Sequence, residues 1–408
     1  MIQPLLVILI CLLFAYILSE LSKRLGLPRV VGQIAAGLIL SIAIIKSFLF
    51  SVESLAILSF LANLGIILLF YYVGLETNFK VFTKNIKSSV IISVFNTLLP
   101  LILGFVLMRY FFNFEILPSL IVGISLSVSA QSVSIDILDE LKLLKTKLGN
   151  MIVSAGAVDD TLELILVTML LAVFNTAVSN LTITRLIIDS SIFILFIVFA
   201  RLFLIPYSLK LFDREKSSTS RFMGSMIIVL LIASLSDFLG IGVFIGAIIA
   251  GVIVRQTIFK EVTIPNWEQH DIAKSTHIIA FGFLIPLFFV FVGVNTAINL
   301  ILPNLMWIAL FICIATVGTV GGTILAVKLN KGSFKEGMLL GWGLNPKGDI
   351  ELAIIAMALN FSIITQSIYT SLVVMVLFTT IISPVIFKYL VKKYNVKKMK
   401  FGEVIKLN

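Results

Sequence analysis

The sequence predicts an all-α membrane protein that crosses the bilayer many times. Hydrophobic residues make up 59% of the 408-residue chain and charged residues only 13%, with a mean hydropathy of +1.14. These values exclude an ordinary soluble domain. The apolar residues are also gathered into segments close to the roughly 20 residues that a helical span needs. Lys and Arg lie mainly between these segments, so the net charge of +10 indicates membrane topology rather than nucleic-acid binding.

About thirteen apolar segments can be recognised, and each predicts a transmembrane helix. The first is followed by Lys23 and Arg24 and has no small-residue cleavage pattern, so it predicts a retained span. The ninth is the weakest, because it is short and follows its neighbour with almost no loop. The segments cover approximately residues 4–21, 28–45, 54–75, 88–110, 117–138, 148–174, 184–209, 221–238, 240–254, 276–298, 302–327, 336–358 and 365–390.

Basic residues follow the odd-numbered segments much more often than the even-numbered ones. By the positive-inside rule, the N-terminus is then outside and the C-terminus, from Lys388 onward, is cytoplasmic. Residues 1–390 therefore predict one multi-pass domain in the cell membrane. Residues 391–408 form a short basic tail that we expect to contact anionic lipid, with no soluble regulatory domain after it.

Two adjacent carboxylates, Asp159 and Asp160, lie inside the sixth apolar segment. A carboxylate near the bilayer centre costs several kcal/mol, so such residues usually serve an ion or proton site. Ionising both neighbours at once is unfavourable, which suits a site that holds a proton and a cation in turn. A structural ion pair between helices is the alternative interpretation.

Two segments, the fifth and the twelfth, predict interrupted helices. The twelfth contains Pro346, which lacks a backbone donor, among Gly341, Gly343 and Gly348. Broken helices at membrane depth are tolerated where they line a cavity, and paired breaks point to a transport site. The two segments are seven spans apart and so run in opposite directions, as in the crossing pair of an inverted repeat. The fifth segment is unusually polar, with Ser125, Ser127, Ser129, Gln131, Ser132 and Ser134.

The breaks and the aspartates reach similar depths, since Asp159 lies about eleven residues, roughly 17 Å, into its helix. Hydroxyl, amide and freed carbonyl oxygens would then surround a partly dehydrated monovalent cation such as Na+. The predicted ligands are Asp160, Asp159, Ser129, Gln131 and Ser132. The predicted supporting charges are Lys347, Glu163, Asp349 and Glu351, and we expect Lys347 to pair with Glu163.

Other residue types predict neither a cofactor site nor an enzyme. Cys11 and Cys313 both lie in apolar segments, which supports neither a disulfide framework nor a thiolate metal site. The two histidines, His270 and His277, are too few for a metal cluster. No cofactor is therefore expected beyond the transported ions.

A series of motifs follows the chain in a specific order. These motifs are LPRVVGQIAAG at 27–37, LGIILLF at 64–70 leading to VGLE at 73–76, Asp159-Asp160, PLFFVFVG at 286–293 and PKGD at 346–349. In this order they resemble the cation:proton antiporter-2 family of monovalent cation/proton antiporters, and the resemblance covers nearly the whole chain.

The resemblance implies that Asp160 is the principal proton and cation carrier and that Asp159 is similar to a residue that marks electrogenic members. It also implies a homodimer in which a core, about 88–174 and 302–390, moves against a dimer domain of the remaining helices. Electrogenic members usually carry a lysine in the span before the second broken helix. Residues 302–327 contain no Lys or Arg, and Gly318 and Thr319 lie near the expected place.

The sequence thus predicts a secondary transporter that exchanges Na+ (or Li+) for H+ by alternating access, with electroneutral stoichiometry. Exchange of K+ for H+ is the close alternative. A cation channel or a membrane sensor is a remote one, because inverted broken helices fit alternating access better than a continuous pore.

Overall fold

The computed structural model is helical throughout the part of the chain that it describes, and no strand occurs there. This confirms the all-α prediction. The basic loop predicted after the third segment and most of the tail lie outside the described residues. Those are residues 3–76, 86–144, 146–179, 183–204, 207, 217–258 and 271–394.

Seventeen α-helices lie in the described residues, and π-helical stretches occur at Leu107–Phe111, Ala200–Leu204 and Ala280–Leu284. The helices are α1 (Pro4–Arg24), α2 (Arg29–Leu40), α3 (Ala43–Leu49), α4 (Val52–Glu76), α5 (Ile86–Val106), α6 (Ile116–Ser127), α7 (Gln131–Glu140), α8 (Lys147–Ser179), α9 (Ile183–Phe199), α10 (Ser218–Phe238), α11 (Val243–Ile258), α12 (Asp271–Ile279), α13 (Ile285–Val294), α14 (Leu305–Leu329), α15 (Phe334–Leu344), α16 (Asp349–Asn360) and α17 (Gln366–Lys393).

The prediction of a multi-span membrane protein is confirmed. Among the described residues, eight helical stretches are long and apolar enough to cross a membrane, or nine if α2 and α3, bent by 84°, form one span. The twelfth predicted segment is divided between α15 and α16, of 11 and 12 residues, and neither half has the length of a span. The total of thirteen spans stays a prediction.

The chain forms two compact units. The first contains Met1–Leu12, Phe50–Asn78 and Thr168–Phe289, and the second contains Leu13–Leu49, Phe79–Val167 and Val290–Asn408. Within the first unit, α4 and α11 pack closely, since a Cβ atom on Gly74 would lie 2.3 Å from the carbonyl oxygen of Ile248. All the predicted site residues belong to the second unit.

Within the second unit, α5 and α14 approach each other through glycines. A Cβ atom on Gly322 would lie 2.3 Å from the carbonyl oxygen of Phe95, and one on Gly318 would lie 2.6 Å from a side-chain atom of Pro100. A larger side chain at either position would separate the helices. The glycines of α14 therefore serve helix packing, and this packing also leaves no room for a long basic side chain at Gly318.

Both predicted interruptions are present. The first lies between Ser127, the end of α6, and Gln131, the start of α7, and its backbone is extended at Ala130. The second lies between α15 and α16 and contains Pro346. The two breaks meet, because the Ala130 amide donates to the Pro346 carbonyl oxygen at 2.8 Å. Each break thus satisfies a backbone group that the other leaves without a helical partner.

Apolar side chains hold the helices around these breaks together. A buried cluster joins α5, α7, α8, α14, α15 and α17. Leu138, Ile152, Leu340 and Phe387 are among its members, each at most 1% exposed. Removing a large side chain from such a core costs about 2–5 kcal/mol, so the polar site next to it has rigid support.

Candidate cation and proton site

Asp159 is a buried carboxylate that accepts hydrogen bonds from four side chains. Only 1% of its surface is exposed. The Asn96 amide donates to Oδ2 at 2.8 Å and the Ser129 hydroxyl to the same oxygen at 2.7 Å. The hydroxyls of Ser93, at 3.1 Å, and Thr97 donate to Oδ1. Hydrogen bonds of this kind stabilise the ionised form of a buried carboxylate.

Helix α5 supplies three of those four donors. Ser93, Asn96 and Thr97 are spaced three and four residues apart, so they share one helix face and turn it towards α8. The close packing of α5 on α14 supports this face, where the Thr323 hydroxyl donates to the Asn96 side-chain oxygen at 3.3 Å. The Asn96 side-chain nitrogen is then oriented to donate to Asp159 Oδ2.

Glu163 lies one turn after Asp159 on α8 and is completely buried. Its Oε1 atom accepts from the Ser129 backbone amide at 2.6 Å and from the Ser129 hydroxyl at 3.1 Å. Within the described part of the chain, its Oε2 atom has no hydrogen-bond partner. Ser129, in the first break, therefore connects two buried carboxylates.

Lys347 is also completely buried, and it extends from the second break. Its ammonium group donates to the Ser127 carbonyl oxygen at 3.2 Å and to the Thr319 hydroxyl at 3.4 Å. Glu351, Glu163 and Asp159 are its electrostatic neighbours. Among the described residues, however, none of these carboxylates forms an ion pair with it at 4.0 Å or less. The expected direct contact with Glu163 is therefore not formed, because Ser129 binds Glu163 instead.

The other predicted ligands lie in less buried surroundings. Asp160 is partly buried and interacts electrostatically with Glu163. The Gln131 amide donates to the Val153 carbonyl oxygen at 3.1 Å and lies against Gly156, one turn before the aspartates. Ser132 is exposed. Gln131 thus packs α7 against α8, and only Ser129 of the three predicted polar ligands contacts Asp159.

The acidic residues after the second break begin a helix. Glu351 is completely buried, and its Oε1 atom accepts from the Gly348 backbone amide at the start of α16. Asp349 is partly buried in the same first turn. A carboxylate is favourable at a helix N-terminus, so these residues stabilise the backbone that follows the break.

A comparison with protein families decides what kind of protein carries this site. The family model described as "Sodium/hydrogen exchanger, transmembrane" matches residues 8–393. The chain belongs to the sodium/hydrogen exchanger family. The resemblance inferred from the motifs is thereby confirmed, and the protein is a membrane transporter rather than an enzyme.

Individual proteins of this sodium/hydrogen exchanger kind align over most of the chain. A protein of Enterococcus hirae named Na(+)/H(+) antiporter is 26% identical over 85% of this chain and 87% of its own. The Na(+)/H(+)-K(+) antiporter GerN of Bacillus cereus is 27% identical over 88% and 89%. The solved structure of the sodium proton antiporter MjNhaP1 of Methanocaldococcus jannaschii has a TM-score of 0.62 and covers 97% of this chain at 13% identity, which indicates a shared fold.

The sequence prediction did not include all of the polar residues around Asp159. Ser93, Asn96 and Thr97 on α5, and Thr319 and Thr323 on α14, were not among the predicted ligands. Polar residues repeating at intervals of three or four inside an otherwise apolar span were the available signal. Within the described residues, no cluster of three or more His, Cys, Asp or Glu could hold a metal ion.

Proposed function

We propose that the protein exchanges Na+ (or Li+) for H+ across the cell membrane by alternating access. One observation carries the proposal: beside Asp160, a buried Asp159 collects four hydrogen-bond donors where two broken helices meet. The donors stabilise such a carboxylate as a buried anion, and its oxygens can bind either a cation or a proton. Membership of the sodium/hydrogen exchanger family supports the same reaction.

Asp160 is the principal carrier in this proposal, and Na+ binds at Asp160 and Asp159. Asp160 is less buried than Asp159. The more accessible carboxylate can exchange its proton or cation with water, while the oxygens of Asp159, oriented by four donors, complete the cation site. Ser129 contributes a hydroxyl, and the carbonyl groups of the first break are available as further oxygen ligands.

Exchange of K+ for H+ is the second candidate. A specific observation favours it, since one relative that aligns over most of the chain is named a Na(+)/H(+)-K(+) antiporter. Oxygen ligands of this kind do not by themselves distinguish Na+ from K+.

We further propose one-for-one, electroneutral exchange. The glycine packing of α14 leaves no place for a basic side chain at Gly318, and Lys347 reaches Thr319 from the second break. Lys347 has Glu351 and Glu163 as electrostatic neighbours besides Asp159. Lys347 therefore does not interact with Asp159 alone, and binding of the cation at Asp159 does not free a second charge for transport.

The architecture proposed for this cycle has about thirteen spans, with the N-terminus outside and the C-terminus inside. The broken helices α6–α7 and α15–α16 would form the crossing pair of an inverted repeat, within a core of about residues 88–174 and 302–390. The remaining helices would form the dimer domain of a homodimer, against which the core moves as an elevator. All the residues that contact Asp159 belong to the proposed core, which supports moving the site as one body.

Proton flux in proteoliposomes tests this function. Purified protein is reconstituted with a pH-sensitive dye inside, and Na+, Li+ or K+ is added outside separately. Cation-driven proton efflux with Na+ and Li+ supports the first candidate, and a comparable rate with K+ supports the second. Cation entry without proton movement would instead identify a channel, and no flux of either kind would contradict transport.

A further inference from the structure

Ser129 stands between two buried carboxylates with a single hydroxyl proton. Its Oγ atom lies 2.7 Å from Asp159 Oδ2 and 3.1 Å from Glu163 Oε1, both within donor reach. One proton can serve only one of these oxygens at a time. If both carboxylates were ionised, one of them would face the hydroxyl without a proton between the two oxygens.

The two carboxylates are unequally supported. Asp159 receives donors from Ser93, Asn96 and Thr97 besides Ser129. Glu163 receives only the amide and hydroxyl of Ser129, and its Oε2 atom has no hydrogen-bond partner in the described part of the chain. A buried oxygen that carries charge without a partner is costly, whereas a protonated carboxyl tolerates this position. Glu163 is therefore the better place for a proton.

Surrounding charges favour a single negative charge on this pair. Asp159 and Asp160 face Glu163 from its own helix, and Lys347 faces it from the second break. Glu351 is in turn the foremost electrostatic neighbour of Lys347, so the lysine charge is already opposed there. Ionised Asp159 and ionised Glu163 together would concentrate like charges in a buried site.

We propose that Asp159 and Glu163 share one proton through the Ser129 hydroxyl, so that Glu163 is a second proton-carrying residue. In one direction, protonated Asp159 donates its proton to Ser129 Oγ while the Ser129 hydroxyl proton passes to Glu163 Oε1. Ser129 ends as a neutral hydroxyl, and the pair keeps one proton and one negative charge. The shift leaves Asp159 ionised for an arriving cation, and the reverse shift neutralises Asp159 when the cation leaves.

This proposal rests on the proposed exchange, and it makes Glu163, which the sequence predicted only as a supporting charge, a proton acceptor. Two substitutions separate it from a structural role for Glu163. Glu163→Gln keeps an oxygen for the Ser129 amide but cannot carry the proton. Ser129→Ala keeps the backbone amide that bonds to Glu163 and removes only the hydroxyl bridge. Ser119→Ala is the matched control, because it removes a hydroxyl of α6 that, among the described residues, bonds only to the Glu115 carbonyl oxygen.

Two measurements test the proposal on purified and reconstituted protein. Infrared difference spectra, with and without Na+, report protonated buried carboxyls through a carbonyl band that shifts in heavy water. Proteoliposome flux reports the maximal exchange rate and the cation KM. We expect Glu163→Gln to lose one such band, and both test variants to exchange roughly ten- to a hundredfold more slowly with little change in KM. Ser129→Thr should restore the rate, and Ser119→Ala should match the unmodified protein.

Each outcome bears on one proposal. If Glu163→Gln keeps every carboxyl band and the full exchange rate, Glu163 is only an anchor for the Ser129 amide and the shared proton is ruled out. If Glu163→Gln does not fold, a normal rate for Ser129→Ala overturns the bridge by itself. If the unmodified protein moves no protons with any cation, the proposed exchange fails, and the infrared band still decides where the proton resides.

Discussion

The two helix breaks of the second unit each place a backbone amide against a buried carboxylate, Ser129 against Glu163 and Gly348 against Glu351, but their other polar groups differ. The first break, around Ser129, presents an amide and a hydroxyl to the carboxylates of Asp159 and Glu163. The second presents carbonyl oxygens and Lys347, and neutral hydroxyls secure its backbone: Thr380 donates to the Lys347 carbonyl at 2.5 Å and Ser134 to the Gly343 carbonyl at 2.6 Å. The bonds of the first break can change with protonation, whereas the hydroxyls that secure the second do not titrate.

The largest effect is expected where the first break meets the aspartates. Asp160→Asn keeps the shape of the side chain but cannot release a proton or offer a full charge, so we expect cation-driven proton flux to fall to the level of empty liposomes. Asp139→Asn, an exposed carboxylate at the end of α7, is the control and should retain flux. Substantial exchange by correctly folded Asp160→Asn protein would remove Asp160 as the carrier.

The buried charges of the second break should dominate stability. Lys347→Met leaves Glu351 buried without the positive charge that interacts with it electrostatically, and leaving a buried charge uncompensated in this way costs about 3–5 kcal/mol. Adding Glu351→Gln should recover part of that loss, with a coupling of about 0.5–3 kcal/mol. Thermal unfolding of the purified single and double variants measures this coupling.

The same comparison of single and double variants can be made with Glu163→Gln in place of Glu351→Gln. Because Glu163 bonds to Ser129 and not directly to Lys347, its coupling to Lys347 should be the smaller of the two. A larger coupling to Glu163 would restore the direct pair that the sequence alone suggested. Simple additivity in both cycles would show that Lys347 is stabilised by its carbonyl and hydroxyl partners only.

A smaller effect on stability is expected from removing a hydroxyl that secures the backbone of the second break. It can be compared with removing a hydroxyl that bonds, in the described part of the chain, only within its own helix. Thr380→Val removes a hydroxyl that bonds both to the Lys347 carbonyl oxygen and to the Val376 carbonyl oxygen of its own helix. Loss of the bond to Lys347 should destabilise the protein by about 1–3 kcal/mol. Thr379→Val is closely matched, since the Thr379 hydroxyl bonds to carbonyls of its own helix, whose backbone bonds remain. Thermal unfolding should therefore show the lower midpoint for Thr380→Val. Equal midpoints would mean that the break does not depend on this hydroxyl.

The same contrast explains what could be predicted from the sequence. Pro346 and its neighbouring glycines identify the second break through backbone chemistry, and the serine-rich stretch identifies the first through its polarity. The adjacent aspartates can be recognised because a carboxylate inside an apolar span is energetically unfavourable and therefore usually functional. The donors Ser93, Asn96 and Thr97 could not be assigned in this way, since only the packing of α5 against α8 in three dimensions brings them to Asp159. The partners of Lys347, the Ser127 carbonyl oxygen and the Thr319 hydroxyl, were missed because several carboxylates lie at similar depth and suggested an ion pair instead.

The last prediction concerns a response that should be absent. A transporter that moves net charge feels about 2.3 kcal/mol per charge for every 100 mV across the membrane, so its final ion gradient follows the potential. In the proposed one-for-one exchange, Lys347 keeps its bonds to the Ser127 carbonyl and Thr319 throughout, and no second charge crosses. Once the flux assay has shown that K+ is not a substrate, K+ and valinomycin can clamp the potential at inside-negative and inside-positive values. The initial rate and the final Na+ and H+ gradients should be the same at both values, and a final gradient that shifts with the potential would mean that Lys347 or Glu163 contributes a second charge to the cycle.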